Sequence, residues 1–177
     1  DHHVPELLHA PLYFADGQSR EEVYVYGSFL QSRMYARGVR CTDCHDPHGT
    51  GLKASGNALC VRCHRPDPPE EFAMPAPGVY DAPGHHFHAP GSPGSNCVDC
   101  HMPQRTYMQI DARRDHGFRV PRPDLAARTG APDACQTCHA DRPAGWAAER
   151  VAQWFPDSAR RRQPHFGEAM AAAARGE

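Results

Sequence analysis

The chain has 177 residues, a length that suits one domain, and a formal charge of −2. Nothing in that balance suggests a nucleic-acid partner, and no apolar run approaches the ~20 residues of a membrane-spanning helix. With 18 Pro, 15 Gly and only 40% hydrophobic residues, and a mean hydropathy of −0.69, the polypeptide cannot build a thick apolar core of its own.

Residues 1–18 read as an extended N-terminal arm carrying His2, His3, Leu7, Leu8, His9 and Leu12. Such an arm frays unless something ties it down. Residues 19–177 read as a single domain with the arm. Ser19-Arg20-Glu21-Glu22 has the form of a capping box. It predicts a helix with Val23, Tyr26, Leu30 and Met34 at helical spacing, closed by Gly38. Cys41-Thr42-Asp43-Cys44-His45-Asp46-Pro47-His48 follows. After a glycine-rich loop, Asn57 is placed to cap a helical turn carrying Cys60, Cys63 and His64. Residues 65–95 are rich in Pro and Gly and contain Gly84-His85-His86-Phe87-His88, three histidines in four residues that core packing does not explain. Cys97-Val98-Asp99-Cys100-His101 is next, then an extended segment at Tyr107–Asp111. Asp115 stands beside His116, where it could orient the imidazole. Pro132-Asp133 opens the turn of Cys135, Cys138 and His139. Asp141-Arg142-Pro143 predicts the start of a helix with Trp146, Val151, Trp154 and Phe155 on one face, and an Ala-rich helix covers 164–174.

The eight cysteines fall into four C-x-x-C-H copies with none left over. Two zinc sites or a disulfide framework would also use paired cysteines, but neither needs a histidine directly after each pair. With 13 histidines in 177 residues, four such coincidences have a chance probability of about 3 in 100,000. C-x-x-C-H is the attachment signature of c-type haem. Cys41, Cys44, Cys60, Cys63, Cys97, Cys100, Cys135 and Cys138 are therefore read as thioether links to four haems c, with His45, His64, His101 and His139 as proximal iron ligands. The porphyrins would supply the missing apolar mass. The expected fold is mostly irregular with short α-helices and little β, cored by haem. Eight propionates bring the summed charge to about −10. The 18 arginines, against the single Lys53, suit bidentate pairing with those carboxylates.

Nine histidines remain for four distal positions. His48 lies three residues past His45, a span of at most ~11 Å, too short to round the porphyrin, so it must serve a different haem from His45. His48 and His116 are the first distal candidates. His85 and His88 come next, and His2, His3 and Met34 are reserves. His9, His86 and His165 are read as bystanders. Haem attachment of this kind takes place outside the cytoplasmic membrane, which predicts a periplasmic or extracellular protein whose start at Asp1 is processed or trimmed.

The run Tyr24-Val25-Tyr26-Gly27-Ser28-Phe29-Leu30-Gln31-Ser32 leading into C-x-x-C-H-D-P-H resembles a group of multihaem c-type cytochromes. So do Cys97 to Pro103 with Tyr107-Met108, Arg113-Arg114-Asp115-His116 with Pro121–Leu125, and Ala134-Cys135 through Ala148. Members of that group often carry a further C-x-x-C-H upstream and tetratricopeptide-like repeats after the haem domain; this sequence begins after the first point and ends where the repeats would start, as a trimmed domain or a minimal version would. The resemblance implies low-spin, mostly bis-histidine haems and electron transfer to redox proteins or extracellular acceptors. A homopolymer is the extension of that role, with an N-terminal histidine completing a neighbour's haem. The alternative is a reductase of a small nitrogen or sulfur oxyanion at one open haem.

Overall fold

The computed structural model describes residues 11–72 and 76–177. The arm's His2, His3, Leu7, Leu8 and His9 lie outside the described residues. Short helices joined by irregular segments dominate: α1 Val25–Leu30, α2 Arg33–Ala36, α3 Cys41–Cys44, α4 Asn57–Val61, α5 Pro83–His86, α6 Cys97–His101, α7 Pro123–Thr129, α8 Trp146–Trp154, α9 Ala159–Arg162 and α10 Phe166–Ala174. Single 3-10 turns cover Glu70–Phe72, Pro93–Ser95 and Ala134–Thr137. Among the described residues the sheet is one antiparallel hairpin, β1 Gln104–Tyr107 and β2 Asp111–Arg114, paired from Gln104↔Arg114 to Tyr107↔Asp111. The segment expected to be extended, Tyr107–Asp111, is thus the tip of a hairpin. Met108, Gln109 and Ile110 make its turn, the first two at positive φ.

The expected helix over 19–38 is two helices, and its start lies elsewhere. Ser19 pairs with Tyr13 in an isolated β-bridge, and its amide donates to Asp115 Oδ2 at 2.9 Å, so Ser19 caps nothing. Helix α1 starts after Tyr24 and ends at Gln31. Ser32 then caps α2, its hydroxyl accepting the Tyr35 amide at 3.0 Å. The buried face of α1 is Gly27, Ser28 and Phe29, while Tyr26 points outward. A continuous helix would have carried Tyr26 and Met34 along one stripe. The serine cap restarts the helix and breaks that register.

The protein core is thin. The buried hydrophobic residues are Tyr13, Val23, Phe29, Tyr107, Leu125, Ala131, Ala147 and Ala171, and only Leu125 among them is a large side chain less than 2% exposed. They form two patches. One gathers around Phe29, which meets Tyr35 and Phe118 edge-on at 5.6 and 6.1 Å. The other lies between α7, α8 and α10, where Arg128 of α7 pairs with Glu168 of α10 at 2.8 Å. Tyr24, Tyr26, Val25 and Ile110 are meanwhile exposed. Residues 11–18 are bound to this framework through Asp16, whose carbonyl accepts Arg119 Nη1 at 2.8 Å, and Gln18, which donates to Pro132 O at 3.0 Å.

Candidate haem site

Each C-x-x-C-H copy occupies a helical turn with its own cap. Residues three apart in a turn share a face, so both thiols of each copy point the same way; His45 stands at the end of α3, whereas His101 is the last residue of α6. In the first turn the Arg40 amide donates to Asp43 Oδ2 at 2.7 Å. In the fourth, Asp133 Oδ1 accepts the Cys135 amide at 2.9 Å. The second differs from expectation: Gly56, not Asn57, is the N-cap of α4. The Asn57 side chain is committed elsewhere, accepting the Cys97 amide and donating to Ser95 O, both at 2.9 Å.

The four turns are neighbours in sequence order. Arg62 donates to Asp43 O at 3.0 Å and joins the first two. Asn57 joins the second and third, and α6 packs on the 3-10 turn of Ala134–Thr137 to join the third and fourth. No two of the eight cysteines are joined in a disulfide. Burial raises the thiol pKa of Cys44, Cys63 and Cys100, and with Asp133 raises that of Cys135 to about 12. Among the described residues no three His, Cys, Asp or Glu side chains converge as a cation site.

Three imidazoles that follow a C-x-x-C pair face a second imidazole. His45 and His116 have ring centres 6.4 Å apart, His101 and His85 6.1 Å, and His139 and His88 6.2 Å, with interplanar angles of 29°, 7° and 30°. Two imidazoles on opposite sides of one metal, each with a bond of about 2.0 Å and about 1.1 Å more from nitrogen to ring centre, would have ring centres about 6.2 Å apart. The three pairs match that spacing.

The hydrogen bonds set the tautomers. Nδ1 of His45 faces Thr50 O at 2.9 Å, that of His101 faces Arg119 O at 2.8 Å, and that of His116 faces Arg114 O at 3.0 Å. His88 Nδ1 faces His86 O in the same manner. A carbonyl oxygen only accepts, so each Nδ1 donates, and in the neutral ring Nε2 is left as a free ligand. This is the usual arrangement behind a metal-bound histidine. Burial holds His64, His85 and His101 below the ordinary histidine pKa, which keeps them neutral at pH 7. The residues present therefore fit haem iron.

Strained backbone clusters at the same places. Thr50, Phe87 and Phe118 are non-glycine residues at positive φ, each close in sequence to one of these histidines. Such strain persists only where surrounding structure over-determines it. Thr50 is held by its amide on Asp46 O at 2.8 Å, which turns its carbonyl to His45.

Asp115 is not the partner of the His116 imidazole. It is buried, and its two oxygens accept the Ser19 amide at 2.9 Å and the Gly117 amide at 2.6 Å. It holds the backbone turn around His116, whose own amide donates to Ser28 Oγ at 3.2 Å. His48 is exposed, with its amide on Asp46 Oδ1 at 2.8 Å. Met34 is half-buried within α2. The nearest described ring to His64 is Tyr80, perpendicular at 6.1 Å, and Tyr80 in turn meets His85 at 5.0 Å. His86 and His165 each accept a backbone amide on Nδ1, from His88 and Gly167. That leaves the proton on Nε2 of a neutral ring and fits their reading as bystanders. His165 caps α10 rather than standing free.

The helix expected after Asp141 begins at Trp146, because Gly145 takes a left-handed conformation and acts as its N-cap. Its aromatic face covers the fourth turn. Trp146 lies 4.9 Å from His139, Trp154 stacks on Phe87 at 4.6 Å, and Phe155 meets His85 edge-on at 6.1 Å. Sequence reasoning read Asn57 as a cap and missed its bridging role, and it missed Tyr80 and the carbonyls of Thr50, Arg114 and Arg119. Backbone acceptors carry no residue-type signal.

A family model described as the doubled CXXCH motif matches residues 34–68, which hold the first two copies. No curated protein gives a significant match. Among solved structures, the outer cell wall cytochrome OcwA is similar in fold, with a TM-score of 0.57 and 16% sequence identity over 83% of this chain and 41% of that one. The chain thus spans less than half the length of that cytochrome. The C-x-x-C-H copies indicate c-type haem binding.

Proposed function

We propose that this multihaem c-type cytochrome is a tetrahaem electron carrier, passing electrons along closely packed bis-histidine haems with no substrate site. The observation that carries the reading is the set of three facing imidazole pairs at 6.1, 6.2 and 6.4 Å, each with one ring from a C-x-x-C-H copy. An iron held by two imidazoles has no position left for a substrate. His116 is assigned to the haem of His45, His85 to that of His101 and His88 to that of His139. The remaining haem, that of His64, is assigned His48, which follows the first turn, and Arg62 ties that turn to the second.

When bound, haem supplies one-electron exchange between ferric and ferrous iron. The protein's part is to attach, orient and shield. Eight thiols would attach the four haems, carbonyls orient the imidazoles, and Trp146 and Trp154 flank His139 and His88 of the fourth site. Arg119 and Arg161 each bury an Nε donor that no protein atom accepts, and they are assigned to propionates.

Outside the cytoplasmic membrane is the compartment where C-x-x-C-H chains receive haem. Likeness of fold to a protein titled an outer cell wall cytochrome supports the same placement. Redox proteins or extracellular acceptors are then the partners. Extension between subunits as a polymer, with a histidine of the arm reaching a neighbour's haem, belongs to the same reading. The second reading, a reductase with one open haem, is favoured at a single place: His64, which faces Tyr80 rather than an imidazole among the described residues. Carbon monoxide added to the reduced protein separates the two. The electron carrier binds none. Uptake of one equivalent, with a high-spin ferric signal beforehand, supports the reductase.

A further inference from the structure

Asn57 stands at the junction of the second and third attachment turns. Its side chain reaches three segments: Nδ2 donates to Asp81 Oδ1 at 2.8 Å and to Ser95 O at 2.9 Å, and Oδ1 accepts the Cys97 amide at 2.9 Å. Both donors of the amide group are thus used. One turn along α4, on the same face, lies Cys60, the first cysteine of the second copy. The Asn57 side chain therefore ties the helix that carries Cys60 to Cys97, the first cysteine of the third copy. Asp81 lies four residues before His85, so Asn57 also braces the segment that carries the imidazole facing His101. The join between the first two turns is weaker in kind, a single bond from the end of exposed Arg62.

Building on the tetrahaem reading, we infer that Asn57 is a positioning residue that sets the approach of the second and third haems and with it their redox coupling. Cys60 and Cys97 would both be thioether sulfurs once haem is attached, so the residue that ties α4 to Cys97 stands between two porphyrin attachments. The charge state of one iron acts on the other through Coulomb interaction, which falls with separation and is strongest in a desolvated setting. Asn57 holds that separation from the α4 side.

Nuclear magnetic resonance of the haem methyl groups across successive oxidation stages resolves the pairwise redox interactions. A second–third interaction is expected in the native protein, and its absence overturns the inference. Asn57→Ala is expected to lower that interaction, leaving first–second and third–fourth unchanged. Asn57→Asp keeps an acceptor for the Cys97 amide but loses both donors, and is expected to lie between. It and the native protein carry the test should Asn57→Ala fail to mature. Asn96→Ala, which removes an exposed bond to Asp99, is expected to change none of the interactions. An Asn57 variant that shifts every pair alike, or none, overturns the positioning role. Denaturing mass spectra run beside these measurements separate the two levels. Fewer than four haems on the native chain defeats the tetrahaem reading itself, whereas four haems with an unchanged second–third interaction in Asn57→Ala defeats this inference alone.

Discussion

Asp115→Ala is expected to be among the most damaging single changes outside the haem ligands. The carboxylate is 5% exposed. It accepts two buried amides, those of Ser19 at 2.9 Å and Gly117 at 2.6 Å. Alanine leaves both donors unsatisfied in a site that water does not reach, at about 1–3 kcal/mol each. The sum is about 2–6 kcal/mol. Asparagine offers one acceptor and turns an NH2 group towards the other donor, so Asp115→Asn is expected to cost about half as much. Guanidinium unfolding of the oxidised protein, followed by circular dichroism, measures the loss. The ferric spectrum reports the consequence at the site, because Asp115 holds the turn that presents His116. One haem is expected to gain high-spin character in Asp115→Ala with no loss of covalent haem. Gly117→Ala tests the same turn from the other side, since a Cβ there would lie 2.9 Å from Asp115 Oδ1 and 3.0 Å from Arg119 Nε. An Asp115→Ala variant within about 0.5 kcal/mol of native, with an unchanged spectrum, would refute the reasoning.

The other predictions address ligands, folding, pH and the arm. His116→Ala and His48→Ala are each expected to turn one haem high-spin in the electron paramagnetic resonance spectrum while all four stay attached; an unchanged His48→Ala spectrum would move the sixth ligand of the His64 haem elsewhere. A chain with all eight cysteines changed to alanine is expected to show little helix and no cooperative melt by circular dichroism, since the apolar mass resides in the porphyrins. Burial lowers the His165 pKa below 6.5, so the folded state binds fewer protons than the unfolded one below that value. The stability that His165 gives α10 is then intact above about pH 6.5 and is lost as pH falls from there through the lower folded-state value. Hydrogen exchange in α10 should speed up accordingly, and His165→Asn should abolish that dependence. Deleting residues 1–12 is expected to dissolve any head-to-tail assembly seen by light scattering; a monomer before and after deletion at high concentration counts against the polymer.

The chemistry was more legible in the sequence than the chain path. Four C-x-x-C-H copies announce themselves because covalent attachment demands those residue types in that order, and poor hydropathy already implies a core not made of protein. His85, His88 and His116 were legible as surplus histidines, and their facing partners became visible only in three dimensions. The capping box at Ser19 misled because the same serine amide satisfies Asp115, 96 positions away, a bond no local pattern encodes. The hairpin of β1 and β2 was missed because its turn residues, Met108 and Gln109, are not residue types that favour positive φ. Asn57 was recognised as a polar residue beside a helix start. Its role, however, spans 40 positions to Cys97, and Asp115 was assigned to an imidazole when it serves backbone amides.

The central claim is that the eight cysteines carry four haems, and the intact mass of the denatured, untreated protein tests it most directly. The account predicts the mass of the 19.6 kDa polypeptide plus four haems, with no cysteine open to alkylation. A mass of polypeptide alone, with cysteines that react after reduction or removal of metal, would contradict it.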